Sequence, residues 1–157
     1  MKERACKETG ITSIKNLLSK DITQEELLQK VKEANNDPVI DAIIVQMPLP
    51  DHIDSNAILL TIDPMKDVDG FHPVNCGKMM MGLDDAMLAC TPHGICRMLE
   101  MEEISTCGKN VVILGRSLIV GRPLANLLSQ KGRDATITLL HSRSKNIKEH
   151  LLNADII

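Results

Sequence analysis

Two aspartates, a glycine and a histidine lie within the eight-residue segment Lys66–Pro73, whose sequence is KDVDGFHP. A carboxylate can accept paired hydrogen bonds, and a histidine can exchange protons near neutral pH. An Asp-Gly step is also typical of a tight turn, so a plain surface turn is the alternative interpretation of Asp69. This acidic segment is the first candidate for a reactive site in the chain.

A second candidate is the glycine loop Gly115–Gly121, which lies between a predicted strand and a predicted helix. In such an arrangement, backbone amides and the positive end of the helix dipole face a phosphate. The spacing departs from the usual Gly-x-Gly-x-x-Gly, because Ser117 replaces the second glycine and the third is shifted by one position. An ordinary tight turn is the alternative, but the position between strand and helix favours a phosphate-binding loop.

The residues that follow the second predicted strand favour NADP over NAD. A site for NAD usually has an acidic residue there to bind the ribose hydroxyls, but Leu140 is followed by His-Ser-Arg-Ser. Arg116, together with Ser142 or Arg143, can bind a 2′-phosphate instead. Asp134 precedes the strand and therefore lies at its wrong end. Arginines solvated on the surface are the alternative.

The elements around these candidates follow from periodicity and capping signals. Residues 23–34 are predicted to be a helix, because Thr23 and Glu26 can form a capping box ahead of apolar residues at helical spacing. The apolar run Val39–Val45 has the length of a strand buried on both faces of a parallel sheet. Ligands bind beside the carboxyl ends of such strands, so Gln46 is a third candidate. A strand-end hydrogen bonder is its alternative interpretation.

Two further helices are predicted before and after the acidic segment. Asp54 is expected to cap a helix that runs through Ile62 and ends before Pro64. Thr91 is expected to be the N-cap of a second helix, with Pro92 at its first position. The residues that this second helix directs toward the core are expected to be Ile95, Met98 and Leu99.

The second half of the chain has the strand, helix and strand order of a dinucleotide-binding sheet. Strand-length apolar runs flank the glycine loop and alternate with helical periodicity. The predicted elements are a strand over Asn110–Leu114, a helix to about Gln130, a strand over Ala135–Leu140, a helix around Ile147–Leu152 and the start of a third strand at Ala154–Ile157.

The chain is therefore predicted to be an α/β protein with two units that meet near residue 90. The length of 157 residues fits one domain, or a domain plus part of another. The first unit, residues 1–90, contains Gln46 and the acidic segment. The second unit, residues 91–157, is predicted to be a Rossmann-type nucleotide-binding domain.

The composition argues against several classes of partner. A hydrophobic fraction of 43% and a charged fraction of 25% are typical of a soluble globular protein. A formal net charge of -3 argues against general binding of nucleic acids or anionic membranes. Phe71 is the only aromatic residue, so the chain lacks platforms on which bases could stack.

The cysteines and acidic residues do not predict a metal site. The five cysteines are odd in number and contain no Cys-x-x-Cys pair, so neither a disulfide framework nor a zinc knuckle is expected. Asp67 and Asp69 do not begin a calcium loop, because its sixth position is His72 and its twelfth is Lys78. Reduced thiols, with no signal peptide and no apolar run of bilayer length, predict a cytoplasmic protein.

Six ordered segments resemble the bifunctional methylenetetrahydrofolate dehydrogenase/methenyltetrahydrofolate cyclohydrolase family. They are Val45–Pro50, Lys66–Pro73 with Asn75 and Gly77, Cys90–Gly94, Gly115–Pro123, Ala135–Thr138 with His141 and Ser142, and Ala154–Ile156. The resemblance implies a folate-binding α/β domain and an NADP-binding Rossmann domain, with the active site in the cleft between them. It also implies a homodimer for the full-length protein.

The resemblance assigns roles to three residues of the first unit. The family's catalytic lysine corresponds to Lys2, its partner glutamine to Gln46, and its folate-binding aspartate to Asp69. A lysine amine can exchange protons when its surroundings favour the neutral form, and a glutamine can orient the amine or a water without adding charge. The aspartate would bind the amide-like edge of the pterin through paired hydrogen bonds. Without the resemblance, Lys2 would be a solvated surface charge.

In the second unit, the residues expected to bind the cofactor are Gly115, Arg116, Ser117 and Ser142. Asp67 and His72 are expected to shape the turn of the acidic segment, and His93 is expected to be structural. The implied reaction transfers a hydride from 5,10-methylenetetrahydrofolate to NADP, after which water attacks the methenyl product to give 10-formyltetrahydrofolate. That chemistry belongs to one-carbon metabolism and supplies purine biosynthesis.

The chain departs from the family pattern at its ends. It contains no tyrosine, whereas the family has one just before the catalytic lysine, and the first and last sheet units of the family are absent. We therefore expect a fragment in which Met1 is an internal methionine. Two alternatives remain open: a non-catalytic nucleotide-binding or interaction module, and an amino-acid or shikimate-type dehydrogenase of the same fold. The second leaves Gln46 and Asp69 unexplained.

Overall fold

The computed structural model describes residues 2–157, and Met1, expected to be an internal methionine, lies outside the described residues. The helices are α1 (Lys2–Glu8), α2 (Gln24–Asn36), α3 (Ser55–Thr61), α4 (Pro73–Met81), α5 (Cys90–Met101), α6 (Gly121–Ser129) and α7 (Ile147–Leu152). The strands are β1 (Asn110–Leu114) and β2 (Thr136–Leu140). The predicted α/β class is confirmed. Within residues 2–157, no helix is both long and apolar enough to cross a bilayer.

The first hydrophobic cluster lies between α2, α3 and the segment that follows α2. The predicted capping box holds the start of α2: Thr23 Oγ1 accepts a hydrogen bond from Glu26 N at 3.2 Å, and the Glu26 carboxylate accepts one from Thr23 N at 2.9 Å. The hydrogen bond from Thr23 N, and after it one from Thr23 Oγ1 to the same carboxylate, lower the pKa of Glu26 below its usual value. Asp54 caps α3 as predicted. The buried members of the cluster are Leu27, Val31, Ile43, Ile53, Ile58 and Ile62.

The strand predicted over Val39–Val45 is wrong. The described residues contain one isolated parallel bridge here, between Ile43 and Asp67. The partner turns away at once, because Gly70 N donates to the Asp67 carbonyl at 3.2 Å, and a ladder needs consecutive paired residues. The segment is not buried on both faces either, since 77% of Val39 is exposed.

The second cluster is built on the predicted parallel strand pair. β1 has the predicted bounds, β2 begins one residue later than predicted, and the two pair in parallel with Leu114 opposite Leu140. Ile156 forms an isolated parallel bridge to Val111 on the side of β1 away from β2, where the start of a third strand was predicted. The described residues contain no third strand beyond this bridge. The helices predicted to end near Gln130 and to span Ile147–Leu152 are present as α6 and α7.

Helix α6 covers the strand pair and contacts α4 and α5. Leu127 and Leu128 of α6 are each 2% exposed. Met79 of α4 belongs to the same cluster, and Gln130 Nε2 donates to the Met79 carbonyl at 2.6 Å. Helix α4 therefore packs on the second cluster although it precedes residue 90. The division into residues 1–90 and 91–157 stays a prediction.

Helix α5 differs from its prediction at its start and in the face that it buries. Its N-cap is Ala89 rather than Thr91, so Pro92 is not at the first helical position. Ala89 is only 2% exposed, which indicates that packing rather than a side-chain cap fixes this start. On the buried face, Cys96 is 1% exposed. The prediction that Met98 points inward is wrong, because two positions from Cys96 is about 200° around a helix and Met98 is 63% exposed.

Candidate active site

The structure brings Lys2 and Gln46 into contact although they are far apart in sequence. Lys2 Nζ donates a hydrogen bond to Gln46 Oε1 at 2.9 Å. The other end of the same amide is held locally, because Gln46 Nε2 donates to the Met47 carbonyl at 3.0 Å. An amide fixed in this way presents its oxygen to the lysine. This is the pairing that the resemblance implies for these two residues.

Asp69 lies within electrostatic range of the same lysine. Its side chain is half-buried, and burial raises the pKa of Asp69 above its usual value. The positive charge of Lys2 lowers that pKa, and the negative charge of Asp67 raises it. Lys2 thus contacts Gln46 directly and acts on Asp69 through its charge. The catalytic role of each stays a prediction.

The bridge between Ile43 and Asp67 explains why these residues meet. Ile43 N donates to the Lys66 carbonyl at 2.8 Å, which fixes the two segments in parallel. Gln46 follows Ile43 by three positions and Asp69 follows Asp67 by two, so both leave the bridge at the same end. Helix α1 then supplies Lys2 from its first residue.

Asp67 has the turn-shaping role expected for it. It is 1% exposed, and its carboxylate accepts hydrogen bonds from Phe71 N at 3.3 Å, His72 N at 2.8 Å and Asn75 Nδ2 at 2.9 Å. His72 also has a structural contact, because its Nδ1 accepts from Val74 N at the start of α4. These contacts join the end of the acidic segment to α4.

Lys66 anchors the other end of the acidic segment, a role that the sequence does not predict. Its Nζ donates to the carbonyl oxygens of Ala34 at 3.2 Å, Asn35 at 2.7 Å and Asp37 at 2.8 Å. These carbonyl groups lie at the C-terminal end of α2, where carbonyl oxygens have no N–H partner within the helix. A cation at this position also interacts favourably with the helix dipole.

Gly70 allows the turn to pack directly on the segment that enters α5. Its φ is +68°, and an added Cβ would lie 2.6 Å from the Met87 carbonyl oxygen and 2.7 Å from Ala89 N. Cys90 Sγ lies 3.6 Å from the Val68 carbonyl oxygen in the same region. The turn that contains Asp69 is therefore in contact with the start of α5.

The glycine loop is closed by Ser117. Ser117 Oγ accepts from Val120 N at 3.0 Å and from Gly121 N at 3.3 Å. Two amides expected to face a phosphate are therefore bonded to the serine instead, while the serine hydroxyl can still donate its own proton. Gly121 allows α6 to approach the loop, because a Cβ there would lie 2.0 Å from the Gly115 carbonyl oxygen.

The strand register places the other predicted cofactor residues just beyond the carboxyl ends of the two parallel strands. Arg116 and Ser142 each follow by two positions the paired ends of β1 and β2, and both are exposed. The turn after β2 is closed by His141 N, which donates to Ser144 Oγ at 2.9 Å. Asp134 lies before β2, as expected, and its carboxylate accepts from Gly132 N at 3.0 Å.

Lys66, Asn75 and Gly121 lie in the segments that carry the resemblance, but their roles in holding the site were not predicted. His93, expected to be structural, is exposed on α5. The five cysteines are free. In the part of the chain that the structure describes, no group of three His, Cys, Asp or Glu side chains is arranged to hold a metal ion.

Two family models match the chain in sequence. The model for the tetrahydrofolate dehydrogenase/cyclohydrolase catalytic domain matches residues 1–69, and the model for the NAD(P)-binding domain of the same enzymes matches residues 89–157. The bifunctional protein FolD of Protochlamydia amoebophila is 53% identical over 158 residues, which cover 99% of this chain and 54% of that protein.

Solved structures of such enzymes have the same fold. The bifunctional FolD enzyme of Campylobacter jejuni superposes with a TM-score of 0.94 at 44% identity, over 99% of this chain and 55% of that one. The Trypanosoma brucei dehydrogenase-cyclohydrolase, solved with NADP cofactor and inhibitor, has a TM-score of 0.93 at 35% identity, over 99% of this chain and 53% of that one. The chain thus spans about half the length of the curated relatives it matches. With both domain models matched in order and the fold shared over nearly every residue, the chain belongs to the tetrahydrofolate dehydrogenase/cyclohydrolase family.

Proposed function

We propose that this protein oxidises 5,10-methylenetetrahydrofolate to 5,10-methenyltetrahydrofolate with NADP and hydrolyses the product to 10-formyltetrahydrofolate. The observation that carries the proposal is the 2.9 Å hydrogen bond between Lys2 Nζ and Gln46 Oε1. The half-buried carboxylate of Asp69 lies within electrostatic range of the same lysine. The Campylobacter jejuni relative is named a methylenetetrahydrofolate dehydrogenase/cyclohydrolase, which supplies the two activities. Since this chain spans about half the length of those relatives, the activity of the whole protein is part of the proposal.

Asp69 would bind the folate. A carboxylate can accept two parallel hydrogen bonds from adjacent N–H groups, such as those at the amide-like edge of a pterin. Partial burial of Asp69 strengthens such bonds, because little water competes for the carboxylate oxygens. The turn that holds Asp69 is fixed at both ends by Lys66 and Asp67, so the carboxylate is in place before substrate arrives.

Lys2 would handle the proton of the hydrolysis step. Water adds its oxygen to the methenyl carbon and loses a proton to the neutral Lys2 amine. The bond between that carbon and N5 then breaks, and N5 takes a proton, which leaves the formyl group on N10. The methenyl group carries a positive charge, and Gln46 can orient the lysine and the water without adding a further charge. The contact from Gln46 Oε1 fixes the direction of one lysine N–H bond and therefore of the whole amine.

The residues of the glycine loop fit NADP. Gly121 and Gly115 are so close that a Cβ would fill the space between loop and helix, and the Ser117 hydroxyl can donate to a phosphate. Arg116 and Ser142 lie at the same sheet edge, where a 2′-phosphate would be bound. NADP, when bound, accepts the hydride of the oxidation step. The Trypanosoma brucei relative was solved with this cofactor.

The whole protein is further proposed to be a cytoplasmic homodimer without nucleic-acid or membrane partners. Family membership and a net charge of -3 support these points. Sedimentation of the whole protein in an ultracentrifuge would test the dimer, and a monomer at micromolar concentration would contradict it.

The test of the reaction is formation of NADPH, followed by its absorbance, with 5,10-methylenetetrahydrofolate as substrate. Both this chain and a polypeptide extended to the length of the relatives should be assayed. Lys2→Met is expected to lower the hydrolysis of added 5,10-methenyltetrahydrofolate, followed by the loss of its absorbance, by about 100-fold or more. Lys7→Met changes an exposed lysine of the same helix and is the matched control, with turnover expected within about twofold of wild type.

The result that sinks the proposal is an extended polypeptide that binds NADP and turns over no folate. That outcome would favour the non-catalytic nucleotide-binding module. Turnover of shikimate or an amino acid in place of folate would favour the other dehydrogenase class.

A further inference from the structure

The carboxylate of Asp67 lies two residues from Asp69 but is occupied by the protein itself. It is 1% exposed and accepts hydrogen bonds from Phe71 N, His72 N and Asn75 Nδ2. A buried carboxylate with three donors has no free face for a substrate. Its function must therefore be sought in what it holds.

We propose that Asp67 is a positioning residue, which holds the turn that carries Asp69 and thereby sets how strongly the charge of Lys2 acts on Asp69. The inference rests on the proposed function for the roles of Lys2 and Asp69. The interaction itself can be measured without any turnover.

The first support is the closed loop that the Asp67 side chain makes. Its hydrogen bonds to Phe71 N and His72 N reach across Val68, Asp69 and Gly70, and Gly70 N also donates to the Asp67 carbonyl at 3.2 Å. Asp69 is therefore held inside a ring closed by a side chain and by the backbone. Hydrogen bonds to an ionised carboxylate are the stronger kind, so this closure is firm.

The second support is that both ends of the closure are themselves fixed. On one side, the backbone of Asp67 bridges Ile43, three positions before Gln46. On the other side, Asn75 Nδ2 also donates to the Pro64 carbonyl at 2.9 Å, and Asn75 is 2% exposed. Loss of the Asp67 carboxylate would leave buried N–H donors unpaired, which favours movement of the turn.

The experiment is a double-mutant cycle read from the carboxyl carbon resonance of Asp69 during a pH titration of the 157-residue chain. Lys2→Met removes a charge that lowers the pKa of Asp69, so this change is expected to raise that pKa in the wild-type background. In the Asp67→Asn background, the same Lys2→Met change is expected to raise it by less than half as much. Asp67→Asn also removes a negative charge, but that effect is common to both arms and cancels in the cycle.

The matched control is Asp63→Asn. The Asp63 carboxylate also accepts a backbone hydrogen bond in a turn, from Met65 N at 2.8 Å, but that bond lies outside the 67–71 closure. The Lys2→Met shift is expected to be unchanged there. A general loss of stability would reduce the Lys2→Met shift in both aspartate variants, whereas loss of positioning would reduce it only in Asp67→Asn.

Two results would overturn the inference: no effect of Lys2→Met on Asp69 in the wild-type chain, or the full effect in Asp67→Asn. If Asp67→Asn does not fold, Asn75→Ala takes its place, because it removes one donor and keeps the Asp67 charge and both main-chain bonds. A reduced Lys2→Met shift is expected there, and an unchanged shift overturns the inference. If the double-mutant cycle gives the expected result but no NADPH is formed, the proposed function is contradicted and this inference is not.

Discussion

The two halves of the chain hold their predicted functional residues by different means. In the second half, β1 and β2 form a five-residue parallel ladder, and Arg116 and Ser142 follow its paired ends. In the first half, a single backbone bridge aligns Ile43 with Asp67, and side chains hold the rest of the turn. Backbone pairing positions one site, and the charged side chains of half-buried Lys66 and buried Asp67 position the other.

This difference predicts how each half fails. A ladder shares its stability among many equivalent hydrogen bonds, so it is broken most easily where two backbones approach closely. A turn held by a few charged side chains depends on each of them, because every lost partner leaves a buried donor or acceptor unpaired. Substitutions at glycines and at the anchoring side chains can separate the two cases.

The largest effect is expected from Gly121→Ala. The added Cβ would lie 2.0 Å from the carbonyl oxygen and 2.7 Å from the carbonyl carbon of Gly115, and neither atom belongs to a side chain that can move aside. We expect the free energy of unfolding to fall by about 3 kcal/mol or more. Urea denaturation followed by circular dichroism would measure it, since the chain has no tryptophan or tyrosine to report by fluorescence.

Gly94→Ala is the control for this change. Nothing lies within 4 Å of a Cβ at Gly94, which is in the helical interior of α5. Helix propensity alone predicts a gain of about 1 kcal/mol there. Wild-type stability of Gly121→Ala would contradict the close approach of α6 to the glycine loop.

Gly70→Ala tests the first half in the same way and is expected to cost about 2 to 3 kcal/mol. Gly82→Ala is its matched control, because both glycines have a φ of +68° but Gly82 has nothing within 4 Å of the added Cβ. That control is expected to lose about 1 to 2 kcal/mol from backbone strain alone. Urea midpoints of the two variants give the contribution of the contact with the segment before α5. Equal losses would mean that the turn does not depend on this contact.

The sequence predicts the second half more fully because local patterns determine its elements. The bounds of β1 and α7 are as predicted, and the order of strand, loop and helix follows from apolar runs and glycines. In the first half, the apolar run Val39–Val45 indicates a strand, but a ladder also needs a partner that stays extended, and Asp67 does not. Helix α4 was missed although Pro73 at its start and Gly82 at its end are available signals.

The contacts of the first site cannot be predicted from local signals. Lys2 and Gln46 are separated by 44 positions, and their pairing was expected from the family resemblance alone. Lys66 binds carbonyl groups 29 to 32 positions away, so no spacing rule identifies it as an anchor. Asp67 was expected to shape the turn, but its partner Asn75 was not identified, because an asparagine in a helix has no characteristic pattern.

Lys66→Met is expected to have an intermediate effect, a loss of about 1.5 to 3 kcal/mol in the free energy of unfolding. The change removes three hydrogen bonds from an ammonium group and leaves the carbonyls of Ala34 and Asn35 unpaired, whereas the Asp37 carbonyl still accepts from Ile40 N. Lys32→Met alters an exposed lysine of α2 and is expected to change stability by less than about 0.5 kcal/mol. Urea denaturation of both variants gives the comparison. Similar free energies of unfolding for the two variants would show that the contacts of Lys66 do not stabilise the turn.

The smallest effect is expected from Asp69→Asn, and it should appear as a dependence on pH. Burial raises the pKa of Asp69, so the folded state binds this proton more tightly than the unfolded state does. The contribution to stability is present below the ordinary aspartate pKa of about 4 and is lost as pH rises through the raised value. The asparagine variant cannot titrate, so its urea midpoint should rise relative to wild type across that window.

Asp85→Asn is the control for this pH dependence, with the opposite sign. A hydrogen bond from Lys78 at 2.6 Å lowers the pKa of Asp85, so its stabilising contribution is present above the ordinary pKa and is lost as pH falls. The midpoint of this variant should therefore fall relative to wild type as pH rises. If the urea midpoints of the two variants changed in the same direction with pH, ionisation of Asp69 would not lower the stability of the folded chain. The contrast between a half-buried site carboxylate and an exposed carboxylate in an ion pair would then be lost.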